Sequence, residues 1–84
     1  MALTLKIVTP ETLLFEGEIQ GVKAPGIDGL FGVLNNHAPM LAALGEGDLT
    51  ATAAGKDLVF AISGGFLEVN DNVVSVMADT AEQK

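Results

Sequence analysis

The sequence predicts an all-β domain, and three observations carry that prediction. Apolar residues recur at every second position through most of the chain. Residues that favour turns interrupt these runs at short intervals. The two stretches with helix-forming composition, Ala38 to Leu44 and Ala81 to Lys84, are too short to make an ordinary helix. A period of two sends alternate side chains to opposite faces of a strand. Eight or more short strands separated by regular turns imply an antiparallel sandwich or barrel.

The first run alternates Leu3, Leu5 and Ile7 with Thr4 and Lys6, and Thr9-Pro10-Glu11 ends it. Ala24-Pro25-Gly26 closes a second long run, and Asp28-Gly29 is placed to supply the positive φ of a tight hairpin. The segment from Gly29 to Met40 joins a glycine turn, a short apolar strand and a His37-Ala38-Pro39 corner. From Ala38 to Leu44 the chain is rich in alanine and leucine, but these seven residues include Pro39. Leu58, Phe60 and Ile62 share one face, as do Leu67 and Val69 against Phe66 and Glu68. Val74 and Val76 oppose Val73, Ser75 and Met77. Corners are expected at Gly45-Glu46-Gly47-Asp48, Gly55-Lys56-Asp57, Ser63-Gly64-Gly65 and Asn70-Asp71-Asn72. Several runs are apolar on both faces, which predicts a core on one side and a partner on the other.

With 84 residues and neither an internal repeat nor a linker, residues 1–84 are expected to form a single β-sandwich domain. Its 49% apolar content argues for a packed globule rather than disorder. Eleven carboxylates against four lysines make a field that repels phosphate backbones, so nucleic acid is not an expected partner. No apolar run approaches the roughly 20 residues that span a bilayer. The N-terminus lacks the pattern of a secretory signal. The chain contains no cysteine, so no disulfide can form and the composition suits a reducing compartment.

Catalytic and metal chemistry find little support. One histidine and no cysteine fall short of the usual zinc ligand sets, and no glycine-rich phosphate loop precedes a Lys-Ser or Lys-Thr pair. Ser63 or Ser75 with His37 and an aspartate make a triad only on paper, because no nucleophile elbow surrounds either serine. Glu16 with Glu18, and Glu46 with Asp48, read as solvated charges; the alternating ligands of a calcium loop are missing. No cofactor is expected. His37 fits a structural or interface role better than proton chemistry, and Asn35-Asn36 suits a positive-φ turn.

Three stretches in order resemble the β domain of the epsilon subunit of F-type ATP synthases. The first is Gly29-Leu30-Phe31-Gly32-Val33-Leu34 with the His37-Ala38-Pro39 corner. The second is Ser63-Gly64-Gly65-Phe66-Leu67-Glu68-Val69, and the third runs from Asn72 to Glu82. Leu3 to Val8, Thr9-Pro10-Glu11 and Leu14-Phe15-Glu16-Gly17 look like the family's opening hairpin. The resemblance spans essentially residues 3–82.

It implies a flattened antiparallel sandwich of about ten short strands in a noncatalytic rotor subunit. That subunit links the gamma subunit to the c ring and couples proton or sodium flow to ATP synthesis. Carried over position by position, Thr9, His37 and Ala42 fall where members touch gamma. Asp28, Gly29, Leu30 and Phe31 fall where members touch the c ring. Some bacterial relatives carry an acidic residue where this chain has Leu30, so the ring contact here is expected to be apolar or carried by Asp28. The implied location is peripheral, on the cytoplasmic face of a bacterial inner membrane or the equivalent organellar face. The partners are gamma and the ring, without an obligate homo-oligomer. Members usually continue into a C-terminal helical domain that restrains hydrolysis or binds ATP. At the position where that domain would begin only Glu82-Gln83-Lys84 remain here, so neither property is expected of these residues.

A different class of function is an acidic all-β carrier module of the lipoyl or biotinyl type, with Lys23 of Val22-Lys23-Ala24 modified in a turn. The acidic or methionine neighbour expected before that lysine is Val22.

Overall fold

The computed structural model describes residues 3–34 and 38–84. Within them lie β1 (Leu3–Val8), β2 (Leu13–Ile19), β3 (Gly21–Gly26), β4 (Gly29–Leu34), β5 (Met40–Ala53), β6 (Lys56–Asn70) and β7 (Val73–Gln83). No helix occurs among the described residues. Hydrogen bonds join the strands into one sheet in the order β2-β1-β7-β6-β5-β3-β4. Every neighbouring pair is antiparallel except β1 and β7, which run parallel.

Seven continuous strands replace the ten short ones expected, because β5, β6 and β7 run through a corner. Gly45 and Gly64 drop out of the β5–β6 ladder, and Gly64 and Asp79 drop out of the β6–β7 ladder. The buried alternation changes parity there. It passes from Leu44 to Leu49 and Ala51 in β5, and from Phe60 and Ile62 to Leu67 and Val69 in β6. A one-residue irregularity in the alternation has this effect, and glycine absorbs the backbone distortion. Gly64 and Gly65 have φ of 69° and 116°. A side chain on Gly65 would run into the Met77 carbonyl. Counted by layer, each long strand contributes twice, giving five segments on each side of the core.

Phe15 of β2 and Phe60 of β6 show the sheet closing on itself. These strands are three places apart in the sheet, yet their rings lie 5.5 Å apart, tilted by 60°. The core between the layers includes Leu3, Leu5, Ile7, Leu49, Phe60, Leu67, Val69, Val74 and Val76, all at 1% exposure or less. Period-two alternation predicts all of these residues except Leu49, and the register brings them together.

Two hairpins use two-residue turns with left-handed backbone, Ala54-Gly55 (φ 51° and 77°) and Asp71-Asn72 (φ 52° and 60°). Both match the right-handed strand twist. The β3–β4 hairpin differs from expectation. Its turn residues are Ile27 and Asp28, while Gly29, at φ 126°, is already the first residue of β4 opposite Gly26. The exposed Lys84–Asp48 ion pair (3.1 Å) adds little, since exposed pairs contribute at most about 1 kcal/mol.

Candidate docking surface

Residues that alternate with the core stand on the outside of the layers, and across one layer they form an apolar row. Leu13 of β2 pairs with Val8 of β1, Val8 with Met77 of β7, Met77 with Phe66 of β6, and Phe66 with Ala43 of β5. The Ile27 N–H then donates to the Ala43 carbonyl (3.2 Å), which brings the β3–β4 turn to the end of the row. Directly opposite residues share a face of a sheet, so all five strand residues look outward. At about 4.8 Å per strand, the four spacings from Leu13 to Ala43 make the row roughly 19 Å long. Phe66 is 52% exposed and Ile27 is 67% exposed, so the row presents contiguous apolar surface to solvent.

Lys6, Ser75 and Glu68 make the next row, ending at exposed Leu41. An apolar strip beside a polar one has the anatomy of a protein interface, with an apolar centre and a charged rim. Beyond the corner the outer face is different. There Asp48, Ala61 and Glu82 align across the strands, next to Glu46, Ser63 and Thr80. The outer surface thus has an apolar part and an acidic part.

The residues expected to contact partners divide accordingly. Thr9 and Pro10 border a groove of about 600 Å3 with Ile27, Phe66, Met77 and Asp79. The Thr9 hydroxyl donates to the Thr12 carbonyl (3.3 Å) and the Thr9 N–H to the same oxygen (2.9 Å), so Thr9 also fixes its own turn. Asp28, Gly29 and Leu30 are exposed and Phe31 is half-buried, around a second hollow of about 670 Å3 that faces Leu41 and Ala43. Ile27 and Ala43 line both hollows, so the two expected contact sets meet there in one continuous surface.

Ala42 pairs with fully buried Leu67 and is half-buried, while Leu41 and Ala43 on either side are exposed, and all three line the second hollow. Sequence reasoning missed Phe66, Met77, Val8, Leu13 and Ile27 as one outward apolar row. The signal was present in β6 and β7 as strands apolar on both faces, but only the register shows that their outer residues align. His37 lies outside the described residues.

Lys23 stands mid-strand in β3, opposite Gly32 on one side and Thr50 on the other. A carrier lysine must project from a hairpin tip, so the carrier reading loses its geometric basis. Among the described residues no polar or charged side chain is buried. No group of three His, Cys, Asp or Glu residues among them is placed to hold a metal.

Comparison with known proteins gives a consistent pattern. Residues 2–84 match the family model described as ATP synthase, Delta/Epsilon chain, beta-sandwich domain. The chain is 51% identical over 82 residues to the ATP synthase epsilon chain of Anaeromyxobacter sp. (strain K), covering 98% of this chain and 62% of that one. It is 53% identical over 79 residues to the ATP synthase epsilon chain of Syntrophomonas wolfei, covering 93% and 58%. The chain thus spans about three-fifths of the length of these relatives. Among solved structures, it resembles a chain of the Euglena gracilis mitochondrial ATP synthase assembly of OSCP, F1 and c-ring. The TM-score is 0.91 at 26% identity, covering 98% of this chain and 53% of that one. A chain of the Tetrahymena thermophila mitochondrial ATP synthase central stalk and c-ring shares the fold, with a TM-score of 0.80 at 18% identity over 98% of this chain and 66% of that one.

Proposed function

Because the chain belongs to the ATP synthase delta/epsilon β-sandwich family, we propose that it is a noncatalytic part of the central stalk, joining the gamma subunit to the c ring. In that position it supports assembly and the coupling of proton or sodium flow to ATP synthesis. It sits peripherally, on the cytoplasmic face of a bacterial inner membrane or its organellar equivalent. The observation that carries this reading is the apolar row from Leu13 to Ile27, continuous with the β3–β4 hairpin tip.

A rotor part must transmit torque without slipping or bending. A broad apolar contact with a polar rim resists slip better than scattered surface ion pairs, each worth under ~1 kcal/mol. Resistance to bending comes from β5, β6 and β7, which run unbroken through both layers. Gamma lies along the row in this arrangement, with Thr9 at one border and Leu41 and Ala43 at the other. The ring meets the hairpin tip. Leu30 and Ile27 are its exposed apolar groups and Asp28 its carboxylate, so the ring contact is mainly apolar with one charge to pair.

Co-expression with gamma and the c subunit of the same organism tests this assignment. The chain should co-purify with the rotor, and its absence from an otherwise assembled rotor would refute the assignment.

A further inference from the structure

The continuous sheet ends at β2 on one side and β4 on the other, and these two edges are built differently. Open edges offer unpaired backbone groups to any passing strand, and proteins normally blunt them with charges, proline or bulges. β2 carries Glu16 and Glu18 outward, and its pairing with β1 is interrupted by an irregularity at Ile7 and Val8. β4, Gly29-Leu30-Phe31-Gly32-Val33-Leu34, has no charge and no proline, and its register against β3 is unbroken from end to end. Leu30 is 73% exposed and Leu34 69%, with exposed Gly32 midway between them.

That spacing is self-complementary. An antiparallel copy of β4 related by a two-fold axis at Gly32 places Leu30 opposite Leu34 of the second copy, and Leu34 opposite its Leu30. Gly32 then meets Gly32, and Phe31 meets Val33. Outward residues face outward residues throughout, as a shared sheet requires. Centring the axis on Phe31 or Val33 also keeps the faces matched but sets each leucine against glycine or leaves it unpaired. The contact is isologous, so it closes at two copies rather than growing into a fibre.

We propose that free copies of this chain pair through β4, in register about Gly32, into a weak two-fold dimer with one continuous sheet. The proposal does not depend on the rotor assignment. A contact of one short strand per copy falls below the ~1,200 Å2 of standard stable interfaces, so the dimer is concentration-dependent. Each copy carries a net charge of −7, and the resulting repulsion is screened by salt, so added salt strengthens the dimer.

The chain has no cysteine, so one introduced thiol reports the register directly. Directly opposite residues have Cα atoms about 4.5–5.5 Å apart, within the range a disulfide spans. Gly32→Cys should oxidise to a covalent dimer faster than Gly55→Cys or Leu13→Cys at the same concentration. A cysteine at Gly32 is sterically tolerated, because its Cβ meets nothing closer than the Val22 carbonyl at 3.7 Å. In sedimentation velocity the unmodified chain should shift from monomer toward dimer with concentration and with salt. Gly32→Glu, which sets two carboxylates face to face, and Leu34→Lys should each stay monomeric with an unchanged circular dichroism spectrum. A chain that remains monomeric throughout, a dimer that survives both substitutions, or equal cross-linking at all three thiols would overturn the proposal.

Discussion

Phe66 of β6 lies directly opposite Met77 of β7, and both side chains stand outside the core while Leu67 and Val76 beside them are fully buried. One pair of strands therefore serves two surfaces, a core within and an exposed apolar row without. Replacing both outer residues by serine should remove apolar surface without opening the core. An environment-sensitive apolar dye should bind the unsubstituted chain and lose most of its enhancement with the Phe66→Ser, Met77→Ser variant. The thermal midpoint should move by only a few degrees, as expected for surface changes within about 0.5 kcal/mol each. Equal dye binding would place the accessible apolar surface elsewhere.

The corner makes a sharper demand on one glycine than on another. Gly65 has φ 116°, and a Cβ there meets the Met77 backbone. Gly29 has φ 126° with nothing within 4 Å of the same atom. Gly65→Ala should therefore cost about 3 kcal/mol or more, combining backbone strain with displacement of β7. Gly29→Ala should cost only the strain, about 1–2 kcal/mol. Urea unfolding at matched m-values measures the difference, and equal midpoints would mean that β7 yields freely at the corner.

A stabilising change is available at the β5–β6 turn. Ala54 is exposed and holds a φ of 51° before Gly55 at 77°. Alanine is unfavourable there, whereas Asn-Gly is the preferred pair for such a turn. Ala54→Asn should raise stability by about 0.5–1 kcal/mol. An unchanged or lower unfolding midpoint would contradict the left-handed turn.

Closure of the sheet depends on Phe60, fully buried and in ring contact with Phe15 across the core. Phe60→Ala should cost about 3–5 kcal/mol. The loss should be less than additive with Phe15→Ala, because the two share one contact. Additive losses in the double variant would show that the rings are energetically independent.

Much of this architecture was legible in the sequence, and the rest was hidden for a physical reason. Alternation marked Leu3, Leu5 and Ile7, Phe60 and Ile62, Leu67 and Val69, and Val74 and Val76 as inward sets, because side-chain direction along a strand is a local property. Asn70-Asp71-Asn72 and Gly55 marked real turns for the same reason. Gly45 and Gly64-Gly65 were also recognisable as irregular. Whether such a glycine ends a strand or bends one depends on ladders formed with distant residues. The parallel pairing of β1 with β7 and the row joining Leu13, Val8, Met77, Phe66 and Ala43 depend on register across five strands.

The most direct test of the docking face is a calorimetric titration of this chain into the gamma subunit of the same organism, repeated with Phe66→Glu and Leu30→Glu. The chain should bind, and Phe66→Glu should weaken binding about 30-fold or more, corresponding to at least ~2 kcal/mol at the centre of an interface. Leu30→Glu should change that affinity little, because the proposed arrangement gives Leu30 to the ring contact and not to gamma. No binding by a folded chain, or full affinity in Phe66→Glu, would contradict the apolar row as the gamma-facing surface.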